Sequence, residues 1–311
     1  MRRTAAIGGG HGLSRTLQAL TRLSEYTTAI VTVADDGGSS GRLRRDLGVP
    51  APGDLRMALT SMAPAGPLRS IVEHRWDRGE LDGHSLGNLM LVALLEQQGN
   101  LVTALDELGR LLHVPGRVLP CTREPVTLHA RTADGDVHGQ ERIAGRRGIE
   151  QVWLEPSIPA VAEEAVEALL DAELIVLGPG SLFTSLLPNL LVPGIAGALA
   201  EADAPVVLVS NLREQPGETE GLDLVGHLEA LHQHVPGLRV DGLVIHEGSR
   251  PSGPGAVLDA TDDQVRHLVG QVARVPLLDG GDGHDPDLLA AALARVWKDR
   301  SQAARARTRI R

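Results

Sequence analysis

The chain has 311 residues, of which 42% are hydrophobic, so it can bury the core of one large domain or two smaller ones and lacks the composition of a disordered protein. Its net charge is −10 and its aromatic residues are three Trp, one Tyr and one Phe, which excludes a general binding surface for nucleic acids. The single cysteine excludes an internal disulfide, and the lack of a long apolar run predicts a cytoplasmic protein without a membrane span.

Short apolar strands alternate with helical patterns along most of the chain. Strands are predicted at 4–7, 28–34, 173–177, 205–210 and 242–246. Helices are predicted at 14–24, 53–62, 87–98, 101–113 and 285–297. Because strands that alternate with crossover helices form parallel sheets, the pattern predicts an α/β fold with a doubly wound, mainly parallel, Rossmann-like sheet and helices on both of its faces.

Two segments depart from this alternation. Residues 116–155 contain short predicted strands at 126–131, 137–143 and 151–154, the first two of which are joined at Asp134-Gly135, and this pattern predicts a small β-hairpin insertion. The end of the chain, 298–311, carries six basic residues and one acidic residue. We therefore expect a single α/β domain over 1–297 and a basic, disordered tail over 298–311, in which Thr308 lies among arginines of the kind that basophilic kinases select.

A glycine-rich segment, Gly8-Gly9-Gly10-His11-Gly12-Leu13, follows the first predicted strand and opens the first predicted helix. Glycines let the backbone approach a ligand closely, and the free amides at a helix start attract anions. The segment therefore predicts a phosphate or anion site. The alternative is a tight strand-to-helix turn without a ligand.

Two further strands are followed by polar, glycine-rich loops. In Asp35-Asp36-Gly37-Gly38-Ser39-Ser40, an acidic residue would accept ribose hydroxyls and the serines would contact phosphate, or the loop is an Asx turn with a serine helix cap. Gly178-Pro179-Gly180-Ser181, with Thr184 and Ser185 on the same helix face, predicts a second anion site. Ligands bind at the carboxyl ends of strands in such folds, so these loops should surround one cleft.

Three catalytic classes find little support in the sequence. Gly83-His84-Ser85-Leu86-Gly87 matches the nucleophile motif of lipases, but the strand that this motif requires does not precede it. Lys298 is the only lysine, which excludes a catalytic lysine from the domain. The glycine spacing of the first loop also disfavours an NAD-dependent dehydrogenase.

Taken together, six segments resemble the gluconeogenesis factor family, which is similar in fold to the 2-phospho-L-lactate transferases. They are GGGHGLS at 8–14, VTVADDGGSSGRLR at 31–44, PGDLR at 52–56, GHSLGNLML at 83–91, GPGSLFTSLLPNLLVPGI at 178–195 and QPGET at 215–219. The resemblance implies a cytoplasmic protein that binds a nucleotide sugar, UDP-N-acetylglucosamine, and is required for cell shape and envelope precursor supply on gluconeogenic carbon sources.

The resemblance also implies which residues bind the nucleotide sugar. They are Gly9, Gly10, Gly12, Leu13, Asp36, Ser39, Ser40, Asp54, Arg56, Asn88, Gly180, Ser181, Asn189 and Asn211. The chain departs from the family pattern at His11, where threonine is frequent, and at Gly283, where an arginine is expected. Because a guanidinium facing a diphosphate is a strong contact, the glycine predicts weaker binding.

Two functions are therefore considered. The first is a non-catalytic nucleotide-sugar sensor that requires no cofactor and acts with a regulated enzyme or a kinase as its partner. The second is a metal-dependent transferase of phosphorus-containing groups, in which Asp36 or Asp54 would bind a Mg²⁺ ion that bridges the phosphates. Either protein could form a homo-oligomer, since the chain is rich in apolar residues.

Overall fold

The protein is built around a parallel β-sheet. The computed structural model describes residues 1–278, 281 and 283–308. In this part of the chain the strands are β1 (Arg3–Gly8), β2 (Tyr26–Val31), β3 (Gly116–Pro120), β4 (Thr127–Thr132), β5 (Gly135–His138), β6 (Ile149–Glu155), β7 (Leu174–Leu177), β8 (Val206–Val209), β9 (Gly242–His246) and β10 (Gln271–Val275).

Helices connect most of these strands. They are α1 (Gly10–Leu20), α2 (Gly38–Leu47), α3 (Gly53–Met62), α4 (Pro67–Glu73), α5 (Leu86–Gln98), α6 (Leu101–Leu111), α7 (Gln140–Ile143), α8 (Glu163–Leu170), α9 (Leu187–Leu190), α10 (Pro193–Glu201), α11 (Leu224–His234), α12 (Asp262–Val265) and α13 (Pro286–Thr308). A π-helical turn, Leu182–Leu186, leads directly into α9. Side-chain caps fix several helix starts: Ser85 caps α5, Asn100 caps α6 and Asp223 caps α11.

Seven strands form the main sheet in the order β10-β9-β8-β7-β1-β2-β3, and every neighbouring pair is parallel. From β1 at the centre, β2 and β3 are added in turn toward one edge of the sheet. The chain then returns to the centre, where β7 pairs with the other side of β1 and β8, β9 and β10 follow toward the opposite edge. This arrangement confirms the predicted doubly wound, Rossmann-like fold. The strand order reverses between β1 and β7, and a ligand crevice opens at the carboxyl ends of strands at such a point.

The centre of the sheet is buried on both faces, as parallel sheets require. All residues of β7 and β8 are buried, and their sequences, LIVL and VVLV, are continuous apolar runs rather than alternating ones. Ile7, Leu17 and Ile30 are fully buried in the same core. This rigid base supports the loops that follow β1, β2, β7 and β8.

The insertion is smaller than predicted. It is a three-stranded antiparallel sheet with the order β5-β4-β6. Residues 116–120 do not belong to it, because β3 pairs in parallel with β2 at the edge of the main sheet. The predicted strand at 137–143 is also wrong in part, since α7 begins at Gln140. The sequence of a short apolar strand does not specify the sheet that it joins. The pairing depends on which strands lie next to it in the folded protein.

The last helix is longer than predicted. The disordered tail expected from 298 is wrong as far as Thr308, because α13 continues to that residue. Alanine and arginine have high helix propensities, so this Ala- and Arg-rich segment extends the helix that precedes it. Residues 309–311 of the predicted tail lie outside the described residues.

Candidate functional site

Two glycine loops meet where β1 and β7 lie side by side. Gly8 ends β1 and α1 begins at Gly10, while Pro179 and Gly180 follow β7. A Cβ atom on Gly12 would lie 1.9 Å from the carbonyl oxygen of Pro179, so only glycine allows this approach. The free amides in the first turn of α1 are therefore placed at the crevice between β1 and β7, where they can bind an anion.

The other predicted residues of the first loop have different surroundings. Gly9 packs against Thr32, Ser185 and the carboxylate of Asp54, and Gly10 has a positive φ of 61°. The side chain of Leu13 is buried in the core beneath Gly8. Leu13 thus supports the loop from below, and the anion-binding surface consists of backbone groups.

The contact of Gly12 with Pro179 leads to a prediction on stability. Gly12→Ala should lower the free energy of unfolding by about 2–3 kcal/mol, because the added methyl group forces the two loops apart. Urea denaturation measures this change. Gly197→Ala is the matched control, because a Cβ there meets no atom within 4 Å. A helical alanine at 197 should be neutral or stabilising, and an equal loss in both variants would contradict the proposed contact.

Asp54 lies at the start of α1 although it belongs to the first turn of α3. Its half-buried carboxylate accepts a hydrogen bond from the Gly10 amide and would lie 2.5 Å from a Cβ on Gly9. Burial is the larger cause and the charge of Asp35 the smaller cause of a rise in the pKa of Asp54 to about 7. Asp54 is therefore a carboxyl group that changes charge near neutral pH beside the anion-binding amides.

The two neighbouring aspartates after β2 point in different directions. The Oδ1 atom of Asp36 accepts a hydrogen bond of 2.8 Å from the Glu141 amide in α7, so Asp36 binds the insertion. Asp35 instead faces α3, since its Oδ2 atom would lie 3.1 Å from a Cβ on Gly53. The structure thus brings Asp35, rather than Asp36, next to Asp54.

This geometry changes which residues would hold a magnesium ion. In the part of the chain that the structure describes, no group of three or more His, Cys, Asp or Glu side chains is arranged to hold a metal. Mg²⁺ commonly uses only one or two protein carboxylates together with substrate phosphates. Asp35 and Asp54 fit that requirement, whereas Asp36, one of the two alternative ligands considered from the sequence, bonds the Glu141 amide instead.

Ser39, Asn88 and Arg56 form a buried chain of hydrogen bonds. Asn88 Nδ2 donates to Ser39 Oγ at 3.0 Å, and Arg56 Nε donates to Asn88 Oδ1 at 3.3 Å. The Ser39 hydroxyl can then donate to Nδ1 of His84, 2.9 Å away, and burial lowers the pKa of that histidine. Ser40 accepts a hydrogen bond of 3.1 Å from the Gly53 amide. These polar side chains hold α2, α3 and α5 together and fix the position of Arg56.

A cleft of about 600 Å³ extends from the first turn of α1 between α1, α3 and α4. Its lining is rich in basic residues, which are His11, Arg15, Arg56, Arg69, Arg75 and His284. The guanidinium of Arg56 is fixed from behind by Asn88, and this side chain is 8% exposed. The cleft has the charge and size for an anionic small molecule.

The predicted second anion site is already filled by the protein. The carboxylate of Glu218, which is 3% exposed, accepts hydrogen bonds from the amides of Phe183 and Thr184 at 2.8 and 3.2 Å. It also accepts from the hydroxyls of Ser181 and Thr184 at 2.5 and 3.1 Å. Burial raises the pKa of Glu218, although these four hydrogen bonds oppose the rise. Ser181 is therefore engaged by Glu218 rather than open to a ligand.

The two predicted asparagines hold the loops in place. Asn211 pairs with the backbone of Gly180 through two hydrogen bonds of 2.7 Å, one in each direction. Asn189 is fully buried and donates to the carbonyl oxygens of Gly8 and Ser185 at 3.0 and 2.8 Å. Both side chains position the glycine loops, and Gly180 keeps a positive φ of 140° beside Gly9.

Gly283 and His284, which precede α13, also line the cleft. Nε2 of His284 donates to the Ser210 carbonyl at 3.0 Å, and burial lowers the pKa of His284 to about 4, so this ring is neutral. A Cβ on Gly283 would meet no atom of the described residues within 4 Å. The first side-chain carbon of an arginine, the residue expected here from the resemblance, would therefore not collide with the described part of the chain.

Four residues at this site were not predicted from the sequence as site residues. Glu218 lies within the QPGET segment, whose match to the family was the one signal available for it. Arg15 and Arg75 carry no recognisable motif, and Asp35 is indistinguishable from Asp36 by sequence. Their roles depend on which way side chains point after folding.

Within the described residues, no helix is by itself long and apolar enough to cross a membrane. Leu182–Leu190 and Pro193–Glu201 meet the length and composition criteria together, but they are bent by 73° relative to each other.

Comparison with known proteins agrees with the resemblance seen in the sequence. A relative from Deinococcus radiodurans, a gluconeogenesis factor by name, is 45% identical over 308 residues, which are 95% of this chain and 66% of the relative. The chain thus spans slightly less than two thirds of that protein. The gluconeogenesis factor of Bacillus subtilis is 42% identical over 251 residues, which are 79% of each chain.

The solved structures and family models lead to the same assignment. The crystal structure of a UPF0052 family member from Bacillus halodurans has a TM-score of 0.87 and 36% identity, and the match covers 94% of this chain and 98% of that one. The family model described as 2-phospho-L-lactate transferase CofD matches residues 4–268. The chain therefore belongs to the CofD family, within which its relatives are named gluconeogenesis factor.

Proposed function

We propose that this chain is a cytoplasmic nucleotide-sugar sensor that binds UDP-N-acetylglucosamine and regulates the supply of envelope precursors and cell shape on gluconeogenic carbon sources. The observation that carries the proposal is the open first turn of α1 at the crevice between β1 and β7, continuous with the basic cleft. Diphosphates bind at such helix starts, and the rest of the ligand would extend between α1 and α3.

The side chains around this site support binding rather than catalysis. Ser39, Asn88, Asn189 and Asn211 are engaged in hydrogen bonds that fix the loops. Ser85 is buried and caps α5, so it is not an exposed nucleophile. The protein partner would be an enzyme of envelope precursor supply, whose activity changes when it binds this chain. Phosphorylation of Thr308 by a kinase would alter the binding of this enzyme without changing the affinity for the nucleotide sugar.

Isothermal titration calorimetry with UDP-N-acetylglucosamine tests the proposal. We expect binding by the full chain and a loss of at least about tenfold in affinity for His11→Glu, because a carboxylate at the α1 start repels the diphosphate. His267→Glu is the control, since it makes the same charge change at an exposed position that does not line the cleft. Absence of heat at millimolar ligand would contradict the proposal.

Gly283 leads to a second prediction for the same titration. Gly283→Arg should raise the affinity for UDP-N-acetylglucosamine by about tenfold, because a guanidinium would reach the diphosphate in space that is now open. Gly281→Arg is the control, since Gly281 is exposed and a Cβ there would likewise meet no atom within 4 Å among the residues that the structure describes, and it should change the affinity little. Equal affinities for both arginine variants would show that the diphosphate does not approach Gly283.

A transferase is the second candidate, because the matching family model carries that description and the carboxylate of Asp54, which faces the first glycine loop, lies within electrostatic reach of Asp35. Asp35 and Asp54 would hold Mg²⁺, which would neutralise and bridge the substrate phosphates. Magnesium-dependent turnover of a nucleotide substrate that is abolished in Asp35→Asn would favour this function. Inertness across a panel of nucleotide diphosphates with Mg²⁺ would exclude it.

A further inference from the structure

Two histidines face each other on the small sheet of the insertion. His129 in β4 and His138 in β5 are directly opposite in the antiparallel register, so their side chains lie on the same face of that sheet. Their Nδ1 atoms are 2.5 Å apart, and the two rings meet edge to face with centroids separated by 4.5 Å. Leu128 and Ala130, on the other face of β4, are buried in the core. The histidine pair therefore lies on the face directed away from the core.

The surroundings of His129 determine which of its nitrogens is available. Its Nε2 atom lies 2.9 Å from Oε2 of Glu155, the last residue of β6, although the two are not aligned as a hydrogen bond. A carboxylate at this distance favours a hydrogen on Nε2, which leaves the lone pair of the ring on Nδ1. Trp153 stacks on this ring with centroids 5.5 Å apart, and His129 is 8% exposed. His129 thus holds an unprotonated Nδ1 in a fixed direction, toward His138.

His138 supplies a second nitrogen and has room to adjust, since it is exposed at the end of β5. Its Nδ1 donates a hydrogen bond to Nδ1 of His129, because two lone pairs or two hydrogens would repel at this distance. A tetrahedral Zn²⁺ ion about 2.0–2.1 Å from each nitrogen needs them about 3.3 Å apart. Rotation of the exposed ring can provide this increase. With its hydrogen on Nε2 instead, His138 can direct a second lone pair at the same ion.

We propose that His129 and His138 form a binding site for a divalent transition metal ion, and that Glu155 orients His129 toward the metal. Imidazole nitrogens suit Zn²⁺, Ni²⁺ and Cu²⁺, whereas Mg²⁺ prefers oxygen ligands. Among the described residues no third His, Cys, Asp or Glu joins the pair, so water would complete the coordination of the ion. Neither histidine lines the basic cleft, and the proposal does not depend on the nucleotide-sugar function.

A metal ion at this site would fasten β5 to β4. The strand β5 is only four residues long and lies at the edge of the small sheet. Such a strand has few ladder hydrogen bonds and opens more readily than a central one. Binding of the ion to the folded pair alone would therefore stabilise the insertion.

Isothermal titration calorimetry of the full chain with Zn²⁺ alone tests the proposal. We expect His138→Gln to lower the affinity for Zn²⁺ by at least about tenfold, because only one imidazole ligand remains. His267→Gln, which removes another exposed histidine, should bind Zn²⁺ like the unmodified chain. Equal binding by all three proteins, or no binding at millimolar Zn²⁺, would overturn the proposal.

The role of Glu155 has its own variant. Its side chain is 73% exposed, so Glu155→Ala is compatible with folding, and it leaves both imidazoles in place. We expect about a tenfold loss of Zn²⁺ affinity, since His129 loses the group that favours hydrogen on Nε2. Glu150→Ala removes an exposed acid from the same strand and should have little effect. An equal loss in both variants would show that Glu155 acts only through its general negative charge, and its assigned role would be wrong.

Imidazole nitrogen chemical shifts identify the ligands directly. Saturating Zn²⁺ should shift Nδ1 of His129 and of His138 and leave Nε2 of both rings protonated. Shifts confined to other histidines would show that zinc binds elsewhere and would overturn the proposal. Because these measurements contain no nucleotide sugar, their failure is distinct from failure of the proposed function.

Discussion

Asp54→Asn is expected to raise the free energy of unfolding at pH 8 by about 2–3 kcal/mol and to leave it unchanged below pH 4. The pKa of this carboxyl is about 7 in the folded protein and has its ordinary, lower value in the unfolded chain. Between these values the unfolded state releases a proton that the folded state keeps, so stability falls as the pH rises to 7. Asparagine can still accept the Gly10 amide and does not ionise.

The same titration should control ligand affinity. Without magnesium, the affinity of the unmodified chain for UDP-N-acetylglucosamine should fall by several-fold between pH 6 and pH 8, because Asp54 becomes charged beside the diphosphate. Asp54→Asn should remove that dependence. Urea titrations and calorimetry across this pH range provide the measurements.

An exposed carboxylate serves as the control for both measurements. Asp46, in α2, is exposed, so Asp46→Asn should change neither the pH dependence of stability nor that of binding. If Asp54→Asn destabilised the protein equally at pH 5 and pH 8, the effect would be a lost contact rather than a lost charge.

Glu218→Ala is expected to lower the free energy of unfolding by about 4 kcal/mol. The change removes the acceptor of two buried amides and two hydroxyls at the Ser181–Thr184 turn. The hydroxyls can rotate to other partners, but the amides of Phe183 and Thr184 cannot. Glu218→Gln keeps an oxygen for these amides and should lose only about 1–2 kcal/mol.

Chemical rescue makes this prediction specific to the missing carboxylate. Formate at high concentration should raise the melting temperature of Glu218→Ala and have no such effect on the unmodified chain. Glu220→Ala is the control, since the exposed carboxylate of Glu220 pairs with Arg147 and accepts one exposed hydrogen bond from the Gly217 amide, and its loss should be below about 1 kcal/mol. Equal destabilisation in both variants would show that Glu218 is not the anion of this turn.

The fold could be predicted from local patterns because they repeat along the chain. The apolar runs of β7, β8 and β9 and the glycines after β1 indicated a parallel, doubly wound sheet, and that prediction is confirmed. The sheet to which Gly116–Pro120 belongs was beyond prediction, since edge strand and insertion have the same local pattern.

The candidate site was predictable at the level of loops but not of side chains. Both glycine loops lie at the crevice as predicted from their positions after strands. Neighbouring residues in an extended segment point in opposite directions, so the sequence could not show that Asp35, and not Asp36, faces Asp54. The contact of Glu218 with Ser181 joins residues 37 apart, and no local pattern encodes it.

The hydrogen bond of Asp36 has a consequence for communication across the molecule. Asp36 accepts a hydrogen bond from the Glu141 amide in the insertion, and Ser39, three residues later in the first turn of α2, connects through Asn88 to Arg56 in the cleft. The small sheet and the ligand cleft are thus both connected to the short segment 36–39. By thermodynamic reciprocity, a protein that docks on the insertion more tightly when the cleft is full must strengthen ligand binding by the same factor. A partner that depended on the ligand would therefore be expected to dock on the insertion, since the hydrogen bonds of Asp36 and Ser39 join that surface to the cleft.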